Sequence, residues 1–292
     1  MPSLSLLHLT DTHLFGDASR HYDVVDTADH LRRALDHVAH LGFDLVVCSG
    51  DVSEDGTEAS YERVRDTLLP WASERGARAI FAMGNHDRRE SFRAILGDGQ
   101  PGAETSQLLA GEAPDRPVAS VATVNGWRTI VLDTSVPQAG YGELGSAQLE
   151  ALAAELASPA EHGTIIVMHH PPVDAQTELL GALDLDAADA AVFRGLLRGS
   201  DVRVVLAGHY HLPIVETVAG VPVVVAPGVA NLATAFGDAS EESASDEYGG
   251  ATVTVSDDRV RVVPFTRPVT GGEVFRMDAD TVQRVIGVAG RP

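Results

Sequence analysis

Three strand-length apolar runs separated by two amphipathic stretches open this chain, and their order limits its possible folds more than any other feature. The runs are Leu4–Thr10, Phe43–Ser49 and Ala77–Met83. Between the first two, Thr27–Leu41 places Leu31, Ala34, Leu35, Val38 and Leu41 at helical spacing, with Asp26 or Thr27 as N-cap. Glu58–Glu74 is read as a second helix. Parallel strands need such crossovers, so the order predicts a largely parallel sheet with helices outside it. Aromatic residues make up only 5% of the chain. The core must therefore be built from Val, Leu, Ile and Ala, the residue types that fill strands covered by helices.

Beyond residue 117 the pattern changes. Val118–Val124, Asn125-Gly126 and Trp127–Leu132 read as a hairpin, because Asn-Gly suits a type I′ turn. Ser146–Leu156 and Ala187–Leu197 read as helices, Thr164–Met168 and Val202–Ala207 as strands. Pro213–Val218, Val221–Ala226, Ala251–Val255 and Val260–Pro264 follow with no helix-length segment between them, and are expected to be consecutive antiparallel strands. The economical architecture is α/β: two mixed β-sheets packed face to face, with helices on both outer faces. No repeat or linker divides the chain, so a single domain is expected over 1–267, followed by a C-terminal tail, 268–292. Asp238–Gly250, rich in Ser, Asp, Glu and Gly, is expected to be a mobile lid or a solvated loop, and the tail after Arg267 to be mobile.

Charge narrows the choice of partners. All 21 Lys+Arg residues are arginines, 42 acids oppose them, and the formal charge is −21. Such a chain repels nucleic-acid polymers and anionic membranes, and favours a small substrate. Binding an anion would require a local inversion of the field, which a metal pair supplies. No run approaches the ~18 apolar residues of a membrane span. Met1-Pro2-Ser3-Leu4 lacks the basic start of a signal peptide, so the expected compartment is the cytoplasm. Cys48 is the only cysteine and sits in an apolar run, where it reads as a small buried hydrophobe.

Five polar clusters stand at the ends of expected strands: Asp11-Thr12-His13, Gly50-Asp51, Gly84-Asn85-His86-Asp87, His169-His170-Pro171-Pro172 and Gly208-His209-Tyr210-His211. Carboxyl ends of parallel strands form one rim, so clusters there can converge. Asp11 and His13 are two apart, as are His209 and His211; in extended backbone such pairs point the same way. The donor set is Asp11, Asp51, Asn85, His13, His169, His209 and His211, with no thiolate. Oxygen and imidazole donors suit Mn, Fe, Zn or Co. Seven side chains exceed the needs of one such ion and suffice for two if Asp51 is shared. Glycines ahead of Asp51, Asn85 and His209 let the backbone turn sharply. Singly each cluster is a weak signal; all five in this order are a strong one.

That order resembles the calcineurin-like metallophosphoesterase family, from Leu6 to about Val225. The His169-His170-Pro171-Pro172 form and the run Leu197–Val202 ahead of Gly208 resemble its bacterial class III cyclic-nucleotide phosphodiesterases. The resemblance implies the four-layer α/β/β/α metallophosphoesterase sandwich and an Fe/Mn-type metal pair, with Zn or Co as substitutes. Asp11, His13, Asp51 and His211 would hold one ion; Asp51, Asn85, His169 and His209 the other. The metals would lie about 3.5–4 Å apart and share a hydroxide that attacks phosphorus. The implied activity is hydrolysis of small phosphodiesters, with cyclic nucleotides such as cAMP the first choice. The alternatives are a phosphomonoesterase, a glycerophosphodiester phosphodiesterase, or a non-catalytic metal-binding scaffold. A homodimer is implied by the resemblance alone.

His86 follows ligand Asn85 and is read as a general acid whose tautomer Asp87 fixes. Asn85, His86 and His209 are the expected substrate contacts. His170 is expected to point away and support the ligands from behind. His8 is read as buried and hydrogen-bonded near the site. His30, His37 and His40 are expected to be solvated, and His21 and His162 to lie in loops, with a substrate contact open for His21.

Overall fold

The computed structural model describes residues 2–109, 111, 113 and 115–291; the first residue of the expected domain and the last of the expected tail lie outside them. The chain begins as anticipated. β1 (Ser3–Leu9), β2 (Leu45–Ser49) and β3 (Arg78–Ala82) pair in parallel, joined through α1 (Thr27–Val38) and α2 (Glu58–Ser73). Asp26 caps α1 by accepting from Asp29 N, and Thr57 caps α2 by accepting from Ser60 N. α3 (Arg89–Leu96), which the sequence reading missed, buries Phe92 and Leu96 beside α2.

A second sheet forms from β4 (Thr105–Gln107), β5 (Ser120–Val124), β6 (Trp127–Val131), β7 (Thr164–Val167), β8 (Val202–Ala207), β9 (Ile214–Val218) and β10 (Val221–Val225), in the order β4-β5-β6-β7-β8-β10-β9. Asn125 and Gly126, at φ 50° and 81°, make the I′ turn between β5 and β6. α4 (Gly145–Leu156), α5 (Glu178–Ala182) and α6 (Ala187–Leu197) belong to this half. β11 (Leu232–Ala233), β12 (Glu242–Ser256) and β13 (Val260–Met277) return to the first sheet, and α7 (Ala279–Ala289) closes the described chain.

Alternation along the strands generates four layers. Leu6, Val47, Ile80 and Val253 of the first sheet meet Val131, Ile165, Val167 and Leu206 of the second in one buried layer. The opposite face of the first sheet, with Leu7, Val46 and Cys48, packs on Leu31, Leu35, Val64 and Leu68 of α1 and α2. Ile130, Ile166 and Val205 pack on Leu149, Leu152, Phe193 and Leu197 of α4 and α6. This is the expected architecture of two mixed sheets with helices on both outer faces.

The end of the chain departs from expectation. Asp238–Gly250 is largely strand: β12 begins at Glu242 and lies between β1 and β13. Its composition reads as solvated because its core positions are small or polar. Ala244 and Tyr248 are buried, and Gly250 lets the chain pass close to Leu9 and Phe265. β13 runs through the expected boundary at 267, and α7 buries Val282. The four strands after β8 do not form one meander: β9 and β10 pair in the second sheet, β12 and β13 in the first. His30 is not solvated. It is 2% exposed, its Nδ1 donates to Val229 O (3.1 Å), and its Nε2 lies 3.0 Å from Asp246. Helical spacing could not show that β12 would cover that face of α1. Among the described residues no helix is long and apolar enough to cross a membrane.

Candidate metal centre

The five clusters leave β1, β2, β3, β7 and β8 at their carboxyl ends and interlock there. Asp11 N donates to Gly50 O and His13 N to Asp51 O, both at 3.0 Å, so the first two loops run side by side. Gly208 N donates to His169 O (3.0 Å), and His209 N donates to the Asp11 carboxylate (3.1 Å), which ties the second sheet to the first. Asp11, His13, Asp51, His209 and His211 all have left-handed φ, between 43° and 71°. The same-side argument from extended backbone is therefore corrected: these residues converge through repeated left-handed turns. Non-glycine residues are uncommon there, and such strain persists where the surroundings over-determine it. Gly84 and Gly208 have another role. A Cβ on Gly84 would strike Asp51, and one on Gly208 would strike Thr10, so both admit the close approach of neighbouring loops.

Among the described residues the candidate donors fall into three groups: Asp11, His13 and His211; Asp51, His169 and His209; and His13, Glu54 and His86. Asp51 reaches the first two: its Oδ2 is 3.2 Å from His169 Nε2 and 3.7 Å from His13 Nε2. His169 Nδ1 donates to Ser49 O (2.9 Å) and His211 Nδ1 to Asn231 O (3.2 Å), which leaves each Nε2 aimed into the site. His13 is held likewise through Nδ1 by Glu54 (2.6 Å). Its Nε2 lies 3.3 Å from His211 Nε2, an approach of two lone-pair-bearing atoms that needs a proton or a cation between them. Asn85 Oδ1, His169 Nε2 and His209 Nε2 are buried without a hydrogen-bond partner. Buried polar atoms are rarely left so, and these orphans fit a metal ion. The donor chemistry and the orphaned atoms thus suit the divalent ions that the sequence suggested.

Electrostatics follow from packing acids and imidazoles together. Burial works against the charged form of Asp11, but His211 and His169 outweigh it and hold its carboxyl below the usual range. Burial likewise opposes the charge on Asp51, and His169, His86 and His13 bring its carboxyl well below that range. Burial works against the His169 imidazolium, yet Asp51 and Asp11 raise its pKa to about 9. His209 is lowered to about 3 by burial and by the neighbouring His169.

Glu54 is a residue of the site that the sequence reading missed. One of its carboxylate oxygens collects His13 Nδ1 (2.6 Å), His86 Nδ1 (3.0 Å) and His21 Nδ1 (3.6 Å). The only signal was an acid three positions after Asp51, which carries no periodicity. The expected pairing of Asp87 with His86 is corrected accordingly. The Asp87 carboxylate turns inward and accepts from Val52 N (3.1 Å), Ser53 N (3.0 Å), Gly84 N (2.8 Å) and Tyr61 Oη (3.0 Å). Three waiting N–H groups capture it before it can reach an imidazole. His170 lies behind the ligands, with Nδ1 on Thr134 Oγ1 (2.7 Å) and its ring 4.3 Å from that of His209. His8 is buried against Ser49 Oγ (2.8 Å).

An open cleft lies over these groups, with His13, Asp51, Asn85, His86, His209 and His211 among its lining residues. Two layered sheets with a rim of carboxylate, amide and imidazole donors around such a cleft define a metal-dependent hydrolase of the phosphoesterase class. Residues 4–213 match the calcineurin-like phosphoesterase family. The chain belongs to that family. It is 37% identical to a probable cyclic nucleotide phosphodiesterase of Rhodococcus erythropolis, over 99% of this chain and 92% of that one. It is 40% identical to a cAMP/cGMP dual specificity phosphodiesterase of Mycobacterium tuberculosis, over 77% of this chain and 67% of the other. The crystal structure of a dimetal phosphatase from Danio rerio shares the fold, with a TM-score of 0.62 at 16% identity, covering 91% of this chain and 99% of that one.

Proposed function

We propose that the protein hydrolyses small phosphodiesters, cyclic nucleotides first among them, at a two-metal centre. The carrying observation is the pair of donor groups that Asp51 lies between, 3.2 Å from His169 Nε2 and 3.7 Å from His13 Nε2, with Asn85, His169 and His209 presenting buried atoms that make no hydrogen bond. Asp11, His13, Asp51 and His211 would hold one ion and Asp51, Asn85, His169 and His209 the second, with Mn or Fe the preferred pair. Bound there, the ions would activate water and offset charge on the phosphoryl oxygens. The protein's own part is to bind, orient and supply a proton. Asn85, His86 and His209 face the cleft and are positioned to contact the phosphodiester.

His86 is the proton donor in this reading. Burial disfavours its charge, but Asp51 and Glu54 raise its pKa to about 10. Hydrolysis adds hydroxyl to phosphorus and breaks one ester bond; the departing oxygen takes its proton from His86. Glu54 orients that ring through its contact with Nδ1 (3.0 Å). The expected compartment is the cytoplasm, which subcellular fractionation checks.

The deciding experiment adds Mn to metal-free protein and compares 3′,5′- and 2′,3′-cyclic nucleotides, aryl diesters and aryl monoesters. Turnover of a cyclic nucleotide and an aryl diester, with little on the monoester, is expected. Preference for the monoester would replace this reading with a phosphomonoesterase, and full metal occupancy without turnover would replace it with a scaffold. Asp51→Ala, which removes the shared ligand, is expected to abolish activity.

A further inference from the structure

One wall of the cleft takes no part in the chemistry above, and it is aromatic. Rings run outward from the centre in contact: His13 to His21 at 4.6 Å between centroids, His21 to Tyr22 at 4.5 Å, and Tyr22 to Phe275 at 4.4 Å. Tyr22 and Phe275 are tilted by 31° to each other, in close ring contact. Tyr22 comes from the turn after β1 and Phe275 from the far end of β13, so folding joins opposite ends of the chain here. Both line the cleft, together with Leu179, Leu183 and Met277.

Tyr22 is held there against local preference. Its φ is 50° and that of Asp23 is 58°, a left-handed pair that bulky side chains rarely adopt. Hydrogen bonds between His21 and Val25 in both directions (3.0 Å each), and from Asp23 N to Arg20 O (3.0 Å), enforce the turn. Strain maintained at a cleft points to a role for the side chain it presents. Packing does not supply that role completely, because Tyr22 keeps 45% of its surface exposed.

We propose that Tyr22 and Phe275 form a stacking platform for the flat heterocyclic base of the substrate. The proposal rests on the phosphodiesterase reading for where the phosphate sits: with the phosphate over the histidines, the organic group extends along this wall. Stacking is tolerant of base identity, since every base presents a π-face. The platform therefore selects for a base without choosing between purines.

The test separates the platform from the turnover reading. Hydrolysis of bis(p-nitrophenyl) phosphate by the Mn-loaded protein is inhibited with AMP or with ribose 5-phosphate, which lacks the base, and cAMP turnover is measured in parallel. AMP is expected to inhibit about tenfold or more tightly than ribose 5-phosphate. Tyr22→Leu and Phe275→Leu are each expected to erase most of that difference by weakening AMP alone, and Tyr22→Phe to restore it. Equal inhibition by the two compounds, or variants that weaken both alike, overturns the platform even if cAMP is cleaved. Failure to cleave cAMP with the AMP preference intact removes the cyclic substrate and leaves the platform standing.

Discussion

Glu54 shows how one carboxylate can govern several imidazoles. It fixes His13 toward the centre and His86 toward the cleft through the same oxygen, and those hydrogen bonds hold its own carboxyl below the usual range despite burial. Groups that orient ligands commonly matter about 10–100-fold for metal affinity or activity. Glu54→Ala is expected to lower kcat/KM within that range, with Glu54→Gln recovering part of it, measured on a cyclic nucleotide after Mn loading. His86→Ala should cost far more against a poor leaving group, such as a ribose oxygen, than against p-nitrophenolate, which departs without a proton. Equal losses in the two assays would take the proton-donor role from His86.

At the level of elements, the metal rim depends on strands that no ligand occupies. β12 covers α1 through the His30–Asp246 contact and borders β1, whose end carries Asp11. β13 and α7 complete that side: Val274 is 8% exposed and Val282 fully buried. Gly140 N donates to Ala289 O (2.8 Å), and Arg291 pairs with Asp184 (3.0 Å), so the chain end is bound to the second half of the molecule. Ending the chain after Arg267 is expected to lower the melting temperature by several degrees and to expose hydrophobic surface, read by calorimetry and dye binding. A truncated protein that melts like the full chain would show that these residues are dispensable.

For the whole molecule, acids and imidazoles crowd one rim of a chain whose formal charge is −21. Ions that bind the folded state stabilise it by mass action. Adding Mn to metal-free protein is expected to raise the melting temperature progressively with concentration, and a chelator to reverse the gain. The pH response has a definite sign. Burial lowers the His8 pKa from 6.5 to about 3. Between those values an unfolded His8 binds a proton that the folded one refuses, so this residue's contribution to stability falls as the pH falls from 6.5 toward 3. The slope is about 1.4 kcal/mol per pH unit for such a group. His8→Gln should flatten that part of the profile in denaturant titrations of the metal-free protein.

Much of this was legible before folding. The β-α-β-α-β opening, the I′ hairpin and the polar clusters at strand ends are local patterns, written in apolar spacing and in turn chemistry that neighbouring residues carry. Seven candidate donors could be named for the same reason: each sits where a strand stops. What neighbours could not specify were contacts between distant segments. Whether Asp87 or Glu54 would meet His86 depended on which loop offered free N–H groups. The strand nature of 242–256 depended on β1 and β13 supplying partners for a polar stretch, and the burial of His30 on that strand lying over it. The left-handed turns of Asp11, His13 and His211 arise where loops from two sheets compete for one small volume, and that competition exists only once both sheets have packed.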